Sequence, residues 1–160
     1  MDKLKILNIC SSSGNIGDDA SHVGLKHILE KTLPKHSITK YDIRDFYMSE
    51  PIKKRKTFDD TIAEYINNFD LCIMGGGAFL DYPITGSING PTIDLTDDFL
   101  AKIKTKTIIS SVSCRPKANI DSVRLTMNEY LSRLQRHPEI ELLLRNDGSI
   151  DHLNDVGIEN

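Results

Sequence analysis

The sequence predicts an α/β fold: a doubly wound, mostly parallel five-stranded sheet with helices on both faces. Three observations lead there. Short apolar runs alternate with helical stripes along the 160 residues. The runs carry few alternating polar positions, which is the pattern of strands covered on both sides. Glycine and serine cluster directly after the runs, at the junctions where such sheets hold ligands beyond the carboxyl ends of their strands.

The elements follow in order. Leu4–Cys10 is short, apolar and stopped by Ser-Ser-Ser-Gly, so it reads as a buried strand. Asp18–Leu33 reads as a helix, with Leu25, Ile28, Leu29 and Leu33 at helical spacing and Pro34 marking its end. Ser37–Ile43 is a less apolar strand, and Phe46–Thr57 a loop holding Pro51 and the basic run Lys53-Lys54-Arg55-Lys56. Phe58, Ile62, Tyr65, Ile66 and Phe69 predict a second helix. Asp70–Met74 is a third strand, ended by Gly75-Gly76-Gly77, and Asp81–Pro91 is a long loop. Leu95, Phe99 and Ile103 predict a short helix, and Thr107–Val112 a fourth strand. Ile120, Val123, Met127, Tyr130, Leu131 and Leu134 form a helical stripe before Pro138. Ile140–Leu144 is a fifth strand, and Gly148–Val156 a last short helix.

Composition narrows the function. The length suits one domain with a substantial core. A net charge of −3 argues against a broad nucleic-acid-binding surface. The apolar fraction, 39%, is that of a globular chain rather than a disordered one. Cys10, Cys72 and Cys114 are far apart and odd in number, which fits reduced thiols of a cytoplasmic protein better than a disulfide framework or a zinc site. No run approaches the ~20 apolar residues of a membrane span, and MDKLKILNIC is too interrupted for a signal peptide. The histidines His22, His27, His36, His137 and His152 show no metal-ligand spacing and read as surface or helix-face residues, so no metal is expected.

The candidate ligand groups lie at the junctions. Gly14-Asn15-Ile16-Gly17 would bring free N–H groups of a helix start close to an anion, with Asp18 as the helix N-cap. A tight turn without ligand explains the same residues. Three consecutive glycines cost more backbone entropy than a turn requires, so Gly75, Gly76 and Gly77 mark the close approach of a ligand or of another chain segment. Asp81, four residues on, is a candidate general acid or base, or a partner for sugar hydroxyls; a loop cap is the plainer role. Arg115 and Arg145 each follow a strand, and a guanidinium suits phosphate or carboxylate. Lys53–Lys56 fits a solvated loop, with contact to anionic headgroups as the alternative.

Three segments in series, "GNIGDDASHVGLKHIL", "DLCIMGGGAFLD" and "LLLRNDGSIDHLNDVGIEN", resemble the polysaccharide pyruvyl transferase family. The matching positions are Gly14, Asn15, Gly17 and Asp18; Asp70, Gly75, Gly76, Gly77 and Asp81; and Arg145, Asp147, Ser149, Leu153 and Gly157. The resemblance implies one Rossmann-like half, residues 1–160, of a two-domain glycosyltransferase-B-like fold, with the family's second domain absent from this chain. It implies transfer of a pyruvyl group from phosphoenolpyruvate to two hydroxyls of a saccharide in cell-surface or exopolysaccharide synthesis, giving a cyclic ketal. Asp81 would be catalytic. Gly14, Asn15, Gly17, Asp18, Gly75–Gly77, Arg145 and Ser149 would bind substrate, with phosphoenolpyruvate as co-substrate rather than a resident cofactor. Where the family often has glycine and proline after the fourth strand, this chain has Ser113-Cys114-Arg115-Pro116. A chain of one domain would be incomplete for catalysis and would expose an apolar face suited to a homodimer.

A second resemblance competes. "SSSGNIGDDA" is similar to the phosphate loop of flavodoxins, which would make the chain an FMN-binding electron carrier with Phe79 or Tyr82 stacking on the flavin. The threonines usual around Gly-Asn are missing. A nicotinamide cofactor fits less, since no G-x-G-x-x-G follows the first run. A non-catalytic module that binds a sugar or a partner through the same edge is the third class.

Overall fold

A computed structural model describes residues 3–12, 16–33, 35–48, 55–82, 84–114, 124–155 and 157. Five strands, β1 (Leu4–Cys10), β2 (His36–Asp42), β3 (Leu71–Gly77), β4 (Thr107–Val112) and β5 (Ile140–Leu144), form one sheet in the order β2-β1-β3-β4-β5. Every neighbouring pair is parallel. The helices α1 (Ile16–Thr32), α2 (Asp60–Ile66), α3 (Asp97–Leu100), α4 (Arg124–Arg136) and α5 (Ser149–Asp155) alternate with the strands, and a 3-10 turn covers Arg44–Phe46. This is the doubly wound fold that the apolar runs predict. No described helix is long and apolar enough to cross a membrane.

Right-handed crossovers from β1 to β2 and then outward from β2 to β5 put α1 on one face and the later helices on the other. The packing follows. Leu7, Ile9, Cys72, Met74 and Ile109 of the sheet share a core with Ala63 and Ile66 of α2, Phe99 and Leu100 of α3, and Met127, Tyr130, Leu131 and Leu134 of α4. On the opposite face Ile6 and Ile73 pack under Leu29 of α1. Among the described residues α1 is the helix packed on this face, and Val23 and Ile28 on the helix and Leu143 on β5 stay exposed. Short helices are held by their ends. Asp59 caps α2 by accepting from the Ile62 N–H at 3.1 Å, and Thr96 caps α3 by accepting from the Phe99 N–H at 3.3 Å.

Two local expectations are corrected. Helix α1 starts at Ile16, so Asp18 lies in its first turn rather than at its N-cap. The glycine run does not end β3 but belongs to it, with Gly75 in register with Cys10 of β1 and Ser110 of β4, and Gly77 with Val112. The cause lies in β4. Its register shifts between Ser110 and Val112, and Ser111 takes a φ of 56°. A Cβ on Gly75 would sit 1.8 Å from the Ser110 carbonyl oxygen. Strand β4 therefore leans on a position that only glycine can fill.

Candidate functional site

The strand order reverses between β1 and β3, and the crevice beyond that pair is where open parallel sheets hold ligands. Ser11 and Ser12 leave β1 there, and α1 begins above them. The His22 Nε2–H donates to the Ser11 carbonyl at 2.8 Å. Because a carbonyl only accepts, this bond fixes the proton on Nε2 and leaves Nδ1 as the variable nitrogen. Nδ1 makes no hydrogen bond among the described residues. The ring stands beside Gly76, whose φ of 82° suits glycine and whose added Cβ would lie 3.9 Å from the His22 Cε1. The Tyr47 hydroxyl closes over Gly77, 3.0 Å from the point where a Cβ would be.

Charge ties the same corner together. Burial pushes the Tyr47 phenol up to about 12, and the Asp18 carboxylate adds to it. Burial likewise raises the Cys10 thiol to about 11, against the pull of Lys40, with Asp42, Asp18 and Asp19 contributing. Arg44 reaches back from the turn after β2, its Nε–H donating to the Ser11 hydroxyl at 2.8 Å. Gly17 and Asp18 thus share one rim with Gly76 and Gly77. Gly14 and Asn15, named with them, lie outside the described residues, as do Lys53, Lys54 and Arg115.

Asp81, Arg145 and Ser149 form a second group, at the β4–β5 end of the same edge. Asp81 is buried, and its main-chain carbonyl accepts from the Thr92 N–H at 3.1 Å and the Thr92 hydroxyl at 3.3 Å. The Cys114 thiol is pushed up to about 12, first by burial and then by the Asp81 and Asp147 carboxylates near it. Ser149 is buried as well. Its hydroxyl accepts from the Cys114 N–H at 3.0 Å and donates to Asp147, so it fastens the start of α5 to the segment that leaves β4. Arg145 is half-exposed, with a guanidinium nitrogen 3.7 Å from Asp147. Of the basic run, Lys56 pairs with Asp45 at 2.7 Å and lies over the Tyr41 ring, while Arg55 donates to the Met48 carbonyl.

Neighbouring strands stand ~4.8 Å apart, so the ends of β2 and β5, after which Arg44 and Arg145 follow, are separated by roughly 19 Å across the sheet. The two acids in the first turn of α1, Asp18 and Asp19, already complement the helix dipole, so that end favours hydroxyl donors over a further anion. Among the described residues Arg145 is a rim cation on the Asp81 side.

Beneath the crevice, on the α1 face, a cavity of 290 Å³ opens between α1 and the sheet, lined in part by Asn8, His22, Gly76, Ser110 and Ser111. Of these the sequence singles out Gly76; it places His22 on the surface or a helix face, whereas the structure buries it, and it gives no role to Asn8, Ser110, Ser111, Arg44 or Tyr47. Asn8 did leave a signal, as the polar residue in the middle of LKILNIC. Among the described residues no group of three histidine, cysteine or acidic side chains is placed to hold a metal ion. No protein-family model matches the chain, and no curated protein matches it significantly.

Proposed function

We propose that this chain is a pyruvyl-transfer domain, binding phosphoenolpyruvate and a saccharide acceptor along the carboxyl edge of its sheet. The observation that carries the reading is the meeting of three motif segments on that single edge: Gly17–Asp18 at the start of α1, Gly75–Gly77 in β3, and Arg145–Ser149 after β5. Support also comes from the division of charge. The carboxylates of Asp18 and Asp19 suit the hydroxyls of an acceptor. The Arg145 fork suits the carboxylate or phosphate of the donor. Asp81, buried on the Arg145 side, is assigned to the proton transfers of the reaction, and Ser149 to holding that corner in shape.

Titration of phosphoenolpyruvate into the chain, followed by ³¹P line broadening, tests the donor. Saturable binding is expected, with Arg145→Ala weakening it about tenfold, the loss of roughly 1.4 kcal/mol for a charge-assisted pair at a half-exposed site. Asp81→Asn is expected to leave that binding intact. Binding unchanged in Arg145→Ala removes that residue from the site, and no binding by the wild-type chain ends the reading.

The strand order β2-β1-β3-β4-β5, with its switch point at β1/β3, is also that of flavodoxins and favours FMN as the second reading. Asp18 and Asp19 weigh against it, since the flavin phosphate would meet two carboxylates at the start of α1. Quenching of FMN fluorescence by the apo chain would reverse the ranking.

A further inference from the structure

We infer that the cavity between α1 and the β3–β4 end of the sheet is a seat for an uncharged pyranose ring. As the seat of the acceptor, the inference rests on the pyruvyl-transfer reading; as a sugar site, it stands on the cavity alone. Among the described residues its walls carry hydrogen-bonding groups and no lysine, arginine or acidic side chain. Asn8 lies in the centre of β1 and is 4% exposed, and its side-chain amide has no hydrogen bond to any described residue. The amide is not sealed in the core, since among the described residues Tyr82 Oη is the side-chain atom that is both fully buried and unpartnered; it opens on the cavity and offers two donors and an acceptor to whatever enters. Opposite lie Ser110 and Ser111, whose hydroxyls are 3.4 Å apart, with Ser111 held at a φ of 56°. A non-glycine residue in that conformation is strained, and such strain collects at ligand sites. His22, 7% exposed, brings the imidazole whose Nδ1 is unpartnered among the described residues.

The floor is apolar, made by Ile73 on the sheet and Leu25 and Ile28 on the helix. A pyranose has the same two-sided character, with a face of C–H groups and a girdle of hydroxyls that both donate and accept. The volume of 290 Å³ is at the small end for ligand cavities and holds one ring rather than a chain of them. The neighbouring groove on the β2 side differs, being lined by Asp19, Lys26, Glu30 and Lys40. Among the described residues no lysine or arginine lines the first cavity, which predicts discrimination against uronic acids. Gly24 supplies a means of blocking it: this mid-helix residue lines the cavity, and a Cβ there would meet nothing within 4 Å.

The test uses the full chain, ¹⁵N-labelled, and methyl pyranosides as probes. Methyl galactoside or methyl glucoside is expected to shift the side-chain amide resonances of Asn8 saturably, and methyl glucuronide to bind at least tenfold more weakly. Gly24→Leu is expected to abolish the shift without lowering Tm. Asn8→Leu, of similar size, is expected to weaken binding at least tenfold by saturation-transfer difference, and it serves if Gly24→Leu fails to fold. Neutral pyranosides that leave Asn8 unmoved at millimolar concentration, or that bind both variants as they bind the wild type, overturn the inference. Pyranoside binding at Asn8 without phosphoenolpyruvate binding would end the pyruvyl-transfer reading and keep the sugar site. The reverse pattern would end the sugar site alone.

Discussion

Gly75 and Gly24 are both glycines in regular structure, and they stand for opposite reasons. The space beside Gly75 is filled by the Ser110 carbonyl, 1.8 Å from where a Cβ would go. Neither partner can move without parting β3 from β4, since the two are in register at that point. Gly75→Ala is therefore expected to cost at least about 3 kcal/mol, at the upper end of overpacking penalties. Gly24 sits in the middle of α1 beside open space, so Gly24→Ala is expected to stabilise by up to about 1 kcal/mol through helix propensity. Urea titrations of the two variants check both signs, and equal effects would mean that β4 relaxes around the new methyl group. The sequence shows that Gly75 cannot be an ordinary turn residue, but not what fills its place, because the bulge at Ser111 lies 36 positions away in chain order. The imidazole of His22 was hidden for a similar reason. Its role depends on the Ser11 carbonyl, and main-chain partners leave no trace in side-chain spacing.

Among the elements, the strands were the most legible. Runs such as LKILNIC and TIISSV are short, apolar and bounded by breakers, and the sheet needs nothing more to specify them. The long loop before α3 was legible only as a loop. In the structure it is pinned from within. The Asp94 carboxylate accepts from the Ser87 hydroxyl at 3.2 Å, from the Ile88 N–H at 2.5 Å and from the Asn89 amide. Arg133 of α4 then donates to the Asn89 side-chain Oδ1 at 3.0 Å and to Asp97 of α3 at 2.7 Å. Asp94 is buried, so removing it strands several donors. Asp94→Ala is expected to destabilise the chain by about 2–3 kcal/mol and to speed amide exchange at Ile88. A Tm within a degree of wild type would show that Arg133 holds the loop unaided.

Over the whole molecule, the buried acids set the response to pH. The three cysteines are unpaired and buried. Burial raises the thiols of Cys10 to about 11 and of Cys72 and Cys114 to about 12, from an ordinary value of 9.0. Above pH 9 the unfolded chain releases these protons while the folded chain keeps them, so the folded state binds more protons and stability falls as pH rises. The window opens at about 9 and runs to the folded values. Each thiol contributes a slope of up to about 1.4 kcal/mol per pH unit, and a loss of about 2–4 kcal/mol between pH 8 and 10 is expected by urea unfolding. Below pH 8 these groups give no slope. At pH 8 only about one in a thousand Cys10 side chains is thiolate when folded, so Ellman's reagent should label the chain fully only after denaturation. Fast labelling of a native thiol would show one of them open to solvent. The contact between Gly75 and Ser110 has a consequence on a longer timescale than any of these measurements. Every amino acid carries the carbonyl that fills this space, so exchanging the side chain at Ser110 relieves nothing: for descendants of this chain the constraint falls on position 75 alone, for as long as the neighbouring strand keeps its path.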